Sequence, residues 1–265
     1  MLSKSEILWL SKKSIGDIIT VEQFTNALTN DVFLITNSEQ IQFVFKRLNL
    51  DARSDDDRQA EYLVQQLACR HNLTAKVIAH NHRYKLQQYI IGELLDCNAD
   101  NLIEILAEQL VHIHQIPALH APKQRLAYEL RRLKKQLTVI IDEKYFQKML
   151  ELAEQLDENC ENDTLCHGDL SVNNVLLGKD RRWYVLDWEY AVIACAAYDL
   201  AFCNCINGFS ESKSKILINA YYSRLSLLKI TPLNSLQSLQ KKCVLYSKLF
   251  IYINKLWSLC FVEKD

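Results

Sequence analysis

The sequence predicts an α+β chain in two parts: a small antiparallel β-rich part with one main helix at residues 1–92, and a larger, mostly helical part at 93–265. Three observations carry this reading. Between Asp17 and Ile91 apolar and polar residues alternate in short runs bounded by turn-forming residues, the pattern of half-buried strands. From Ala99 onward apolar residues recur three and four apart, the pattern of helices with one buried face. The helical half is interrupted once, at Leu165–Tyr190, by short apolar runs that bracket polar groups. That interruption reads as strand, tight polar loop, strand, turn and strand, with acids displayed at strand ends.

Residues 1–14 read as a short helix or tail. Strands are expected at 17–24, 32–36, 41–48, 75–79 and 84–91, enough for a five-stranded antiparallel sheet, with Asn37-Ser38-Glu39-Gln40 as one turn. Residues 55–70 carry Tyr62, Leu63, Leu67 and Cys69 at helical spacing, with Arg58 and Glu61 one turn apart. Gln87-Gln88-Tyr89-Ile90-Ile91 is a single extended run closed by Gly92, where the boundary is placed. Beyond it, a helix over 99–115 presents Leu102, Ile105, Leu106, Gln109, Leu110 and Ile113 on one side and stops before Pro117. Two helices divided near Asp142 fill 123–159, and three more occupy 196–205, 212–228 and 233–260.

Bulk properties narrow the function classes. The 265 residues are 49% hydrophobic and 24% charged, with a formal net charge of −1, which offers no global attraction for nucleic acid or an anionic membrane. The basic set Lys123, Arg125, Arg131, Arg132, Lys134 and Lys135 lacks interleaved aromatics for base stacking and reads as a solvated helix face. No partner of nucleic acid, membrane or protein is implied. The nine cysteines include no Cys-x-x-Cys pair and sit among apolar neighbours, as reduced core residues do. The start shows neither a signal-peptide core nor a cleavage site, and a cytoplasmic location is expected.

The chemistry is concentrated in Cys166-His167-Gly168-Asp169-Leu170-Ser171-Val172-Asn173-Asn174 and in Leu186-Asp187-Trp188-Glu189-Tyr190. Phosphoryl transfer from a nucleotide to an alcohol needs a carboxylate beside the hydroxyl and oxygen ligands that hold Mg²⁺ on the phosphates. Asp169 is the candidate for orienting the hydroxyl and taking its proton. Asn174 is a neutral oxygen ligand five residues on, and Asp187 an anionic one after the next hairpin; hard oxygens favour Mg²⁺. Lys46 alternates with Phe45, a strand lysine able to reach phosphate oxygens.

The two motifs together resemble the choline kinase and aminoglycoside phosphotransferase superfamily, in appearance nearest to bacterial thiamine and choline kinases. The resemblance implies a two-lobed protein-kinase-like fold and an ATP- and Mg²⁺-dependent enzyme. It implies that Glu61 pairs with Lys46, that main-chain groups of Gln88, Tyr89 and Ile90 meet the adenine edge, and that Asp199 steadies the catalytic region. His114 matches a histidine often found at that helix end. Leu28-Thr29-Asn30 is similar to the nucleotide loop of choline kinases, with Asn30 as a nucleotide contact, although Ala27 replaces the glycine usual there.

A protein kinase is disfavoured. Gly168 stands where arginine follows the histidine in those enzymes, Asp187 is not followed by Phe-Gly, and only about a dozen positions separate Asp187 from Asp199. The acceptor is therefore a small-molecule alcohol. A catalytically silent nucleotide-binding protein is the alternative from another class, but it has no need of the full set Lys46, Glu61, Asp169, Asn174 and Asp187. From Asp199 onward bases outnumber acids, which poorly suits a polycationic acceptor and leaves a singly charged one. Trp188, Glu189 and Tyr190, with Trp257 at the end of a helix that also carries Tyr246 and Phe250, are candidate acceptor contacts. Thiamine, with two rings to stack, is the acceptor expected, and choline the alternative.

Overall fold

The computed structural model describes residues 2–25, 30–49, 54–160, 164–232 and 234–261. The chain divides into two compact units, residues 1–93 with 176–189, and 94–175 with 190–265.

In the first unit a capping box starts α1 (Lys4–Ser11): the Ser3 hydroxyl accepts from Glu6 N–H while the Glu6 carboxylate takes Ser3 N–H. The five-stranded sheet is formed by β1 (Ile18–Phe24), β2 (Asp31–Asn37), β3 (Gln42–Arg47), β4 (Val77–His80) and β5 (Tyr84–Gln88), all pairs antiparallel, in the order β1-β2-β3-β5-β4. Alternation puts Phe33, Ile35, Phe43, Phe45 and Leu86 on one face, where they enclose Leu10 of α1 and Ile15. The helix α2 (Asp55–Arg70) opens with a second capping box, Ser54 with Asp57.

Glu6 was not singled out by its sequence context, yet it anchors α1 to the sheet. Its side chain is buried and accepts from Arg47 Nε at 2.6 Å and Nη2 at 3.0 Å. The Arg47 hydrogen bond outweighs burial and holds the Glu6 carboxyl down at about 2.

The strand expected over 84–91 is shorter, and a further strand not expected follows it. β5 ends at Gln88, and β6 (Gly92–Leu94) begins after a break, in a three-stranded sheet of order β6-β8-β9 with β8 (Val175–Gly178) and β9 (Trp183–Val185).

The second unit contains α3 (Leu102–His114), whose expected apolar face is buried throughout. It continues with α4 (Leu126–Gln136), α5 (Glu143–Glu158), β7 (Thr164–Cys166), β10 (Val192–Ala194), α6 (Ala196–Ile206), α7 (Glu211–Leu227) and α8 (Leu236–Phe261). β7 pairs with β10, Cys166 opposite Val192, so the strand before the polar loop is tied to the strand after it. The basic face of α4 is neutralised locally: Arg131 pairs with Glu154, Arg132 with Glu129 and Lys134 with Glu143. Tyr246 and Phe250 of α8 are core residues packed on Tyr198 of α6, with ring centroids 5.8 and 5.0 Å away. Among the described residues no helix is long and apolar enough to cross a membrane, and all nine cysteines are free thiols.

The acid-base behaviour of Glu6 generates a test. A carboxyl held at about 2 against an ordinary 4.5 stabilises the fold above about pH 4.5, and that stabilisation is lost as pH falls through the folded value. Glu6→Gln is expected to lower stability at pH 7 by about 1–3 kcal/mol, the usual cost of a buried charge-assisted hydrogen bond. Urea midpoints of the two proteins should converge as pH is lowered from about 5 toward about 2.

Candidate active site

The polar loop of the second unit is built around one buried carboxylate. Asp199 in the first turn of α6 has no solvent exposure; its Oδ2 accepts His167 N–H at 2.8 Å and its Oδ1 accepts Gly168 N–H at 2.9 Å. His114 Nε2 lies 3.2 Å from Oδ2, and His114 Nδ1 is held by the Tyr221 hydroxyl at 2.8 Å. Burial alone would raise the Asp199 carboxyl, but the hydrogen bond and charge of His114, the charge of His167 and the Gly168 N–H together hold it below the usual range. The far side of the loop is held by Asn207, whose Oδ1 accepts Val172 N–H at 2.9 Å and whose Nδ2 donates to Leu170 O at 3.0 Å. Asn207 was absent from the expected set. An asparagine just past a helix end has no distinguishing context in sequence.

Gly168 has φ +74°, and a Cβ there would lie 2.2 Å from the Tyr190 carbonyl oxygen. The position therefore needs both a left-handed backbone and the absence of a side chain. The chain turns there and presents Asp169, which is half-buried, with its N–H on His167 Nδ1 at 3.2 Å. Asn174 Nδ2 donates to Asp169 O at 2.8 Å and to its Oδ2 at 3.0 Å. The spacing of five thus brings Asp169 and Asn174 together, with the amide nitrogen committed to Asp169 and the amide oxygen left as a ligand atom.

In the first unit Lys46 Nζ donates to Asp187 Oδ1 at 2.9 Å, and burial is outweighed by the Asp187 carboxylate, which raises the Lys46 ammonium above its ordinary value. Asp187 sits at φ +62°, a conformation that aspartate tolerates better than most residues. The expected pairing of Lys46 with Glu61 is not formed. Glu61 instead binds Lys85 Nζ through Oε1 and Arg58 Nη1 through Oε2 at 3.1 Å, because β5 places Lys85 directly beside Lys46 and nearer to α2 than the strand pattern alone reveals. Arg58 Nη1 also reaches Glu189 Oε2 at 3.3 Å.

Other expected contacts are redistributed. Trp188 is 0% exposed, and its indole N–H donates to Val185 O at 3.0 Å, so it is a core residue with no face for an acceptor. Glu189 is buried on Arg58. Tyr190 and Trp257, at 44% and 50% exposure, are surface aromatics of the second unit. Gln88 N–H is spent on Lys76 O at 3.0 Å and Tyr89 N–H on Gln42 O at 3.2 Å, so neither of these donors is open to a base edge. The Asn30 side chain is buried and accepts Asn49 N–H at 3.0 Å, a tie within the sheet end. Asn26 to Thr29, including the Ala27 departure, lie outside the described residues.

The family model described as "Phosphotransferase enzyme family" matches residues 20–221. The chain belongs to this phosphotransferase family. A curated relative, the LicA homolog of Metamycoplasma hominis, is 22% identical over 153 residues, 55% of this chain and 59% of the relative, so the chain spans about three fifths of that protein's length. Among solved structures, choline kinase LicA from Streptococcus pneumoniae superposes with a TM-score of 0.73 at 19% identity, over 98% of this chain and 92% of that one. A structure of LicA in complex with AMP gives 0.74 at 19% identity, over 97% and 89%. These likenesses show that the phosphotransferase-family chain has the two-lobed, protein-kinase-like fold.

The family implies a divalent cation, and each unit of this phosphotransferase chain carries a side chain of the kind that holds one. Asn174 offers an amide oxygen and Asp187 a partly exposed carboxylate, both hard donors of the kind Mg²⁺ takes while keeping several waters.

Gly168→Ala is expected to destabilise the protein by more than the backbone penalty of about 1–2 kcal/mol for a left-handed residue, since its methyl meets a carbonyl oxygen. Gly208→Ala is the control, with φ +61° and nothing within 4 Å of the new Cβ. Denaturant midpoints of the two variants should differ, with Gly168→Ala the lower.

Proposed function

We propose that the chain is an ATP- and Mg²⁺-dependent phosphotransferase acting on the primary hydroxyl of a small cationic alcohol, choline by preference. The observation that carries the reading is the Asp169–Asn174 pair in a loop whose backbone is fixed by Asp199 and Asn207, in a member of a phosphotransferase family. A loop held by four backbone hydrogen bonds presents its carboxylate without reorganisation at the moment of reaction, which is where electrostatic catalysis gains most.

In the proposed step Asp169 accepts the hydroxyl proton as the acceptor oxygen bonds to the γ-phosphorus and the bond from that phosphorus to the bridging oxygen breaks. ADP leaves and Asp169 later releases the proton to solvent. Lys46 neutralises phosphate charge, while Asn174 and Asp187 serve as oxygen ligands of the metal. Bound Mg²⁺ would supply charge neutralisation on the phosphates. The Ile90 N–H and neighbouring carbonyls are the groups proposed to meet the base.

Thiamine lost its particular support when Trp188 proved to be interior, because the larger stacking area was its advantage. The likeness to a solved choline kinase favours choline instead. Its trimethylammonium needs only an aromatic face, and the exposed Tyr190 and Trp257 are the aromatic residues proposed for that role. Location in the cytoplasm is part of the same proposal, since ATP is the donor.

Two measurements test this. Purified protein with Mg-ATP should release ADP in the presence of choline, with kcat/KM higher for choline than for thiamine, ethanolamine or an aminoglycoside under one condition. ADP release no greater than the water background with every acceptor would overturn the function. Asp169→Asn is expected to lower turnover by about 10² or more while leaving the nucleotide Kd nearly unchanged, because it removes the general base and no phosphate contact.

A further inference from the structure

Six charged side chains, three of each sign, meet in the first unit: Lys46, Arg58 and Lys85 with Glu61, Asp187 and Glu189. β3 and β5 are neighbours in the sheet and Lys46 stands opposite Lys85 in the register, so both ammonium groups leave the same face. Like charges directly opposite each other destabilise a strand pair unless each has its own counter-ion. Here each has one: Lys46 takes Asp187, and Lys85 takes Glu61.

Glu61 is then saturated. Its Oε1 binds Lys85, its Oε2 binds Arg58, and its surroundings are buried. Lys85 is fixed in turn by Gln65 Oε1 at 3.1 Å, and Gln65 Nε2 is held by Gln87 Oε1 at 3.0 Å. Arg58 is braced by Asn49 O at 3.3 Å and by Glu189. With both oxygens hydrogen-bonded to other cations, Glu61 acts on Lys46 through charge alone and not through a hydrogen bond.

We propose that Lys85 is a positioning residue for the nucleotide: with Arg58 it occupies both oxygens of Glu61, so that Lys46 hydrogen-bonds Asp187 rather than Glu61 and would turn to the phosphates of a bound nucleotide. The inference rests on the proposed function for the existence of a nucleotide. It differs from it in assigning Glu61 to Lys85 and in making Lys85, a residue that contacts no substrate, control the affinity of Lys46 for phosphate.

The test is equilibrium binding of Mg-ATP to the full chain, measured by calorimetry, with urea midpoints recorded in parallel. Lys85→Met frees one oxygen of Glu61, which recruits Lys46, and Kd should rise by about tenfold, the size of one moderate charge-pair coupling. Adding Glu61→Gln to that variant removes the competing carboxylate and should return Kd to within about threefold of wild type, a rescue that lost stability alone would not produce. Glu61→Gln by itself should change Kd by no more than about threefold, whereas Lys46→Ala should weaken binding well beyond that. If Lys85→Met does not fold, the comparison of Glu61→Gln with Lys46→Ala still decides. Equal losses in those two variants, or a double variant no better than Lys85→Met, would overturn the inference while leaving the phosphotransferase standing. Failure of the wild-type chain to bind Mg-ATP would overturn both.

Discussion

The arrangement of the catalytic loop depends on a carboxylate that has no contact with water. An ionised group in that position is costly unless every lone pair is answered, and Asp199 is answered by two consecutive backbone N–H groups, His167 and Gly168, and by His114. The requirement runs both ways. The loop must pass close enough for both N–H groups to reach the carboxylate, which forces the left-handed turn at Gly168 and throws Asp169 outward on the other side. Tyr221 extends the chain of dependence by fixing the imidazole that fixes the acid. A single buried charge thereby specifies the conformation of the loop at His167 and Gly168 and the direction in which Asp169 leaves it.

The first unit obeys the same rule with more members. Burying Lys46 and Lys85 side by side is tolerable only because the acids are distributed between them, and Arg58 links Glu61 to Glu189, two residues beyond Asp187. The net charge of the group is zero. Any ligand that draws Asp187 away leaves one positive charge behind, on Lys46, and the other three ion pairs unaltered. That asymmetry would suit the phosphate-binding role proposed for Lys46.

Much of this was legible in the sequence, for identifiable reasons. Strand alternation from Val32 to Phe45 and the helical spacing of Leu102 to Ile113 are properties of local burial, and local burial is what periodicity records. Asp169 and Asn174 were legible because a tight loop makes a spacing of five a spatial contact. The partner of Glu61 was not, because three cations compete for it and only the register of β3 against β5 shows that Lys85 is one of them. Trp188 failed for a similar reason: adjacency to Asp187 gives its place along the chain but not its direction, and a short turn rotates the ring into the core with its N–H on Val185. The tie of Glu6 to Arg47 and the hold of Asn207 on the loop rest on contacts 41 and 35 residues away, which no local pattern encodes.

The fate of Glu189 bears on how an acceptor cation could be recognised. With that carboxylate buried on Arg58, the acid nearest to Asp187 in the chain is withdrawn from substrate binding. What remains exposed among the residues read as acceptor contacts is aromatic, Tyr190 and Trp257. An aromatic face attracts a cation through its quadrupole and supplies no hydrogen-bond acceptor of carboxylate strength. A primary ammonium loses three well-hydrated N–H groups on moving to such a face, whereas a quaternary ammonium has none to lose and presents methyl groups that gain from leaving water. An acceptor site of the proposed kind, built from rings, would therefore discriminate by desolvation, in favour of the methylated cation over its unmethylated counterpart.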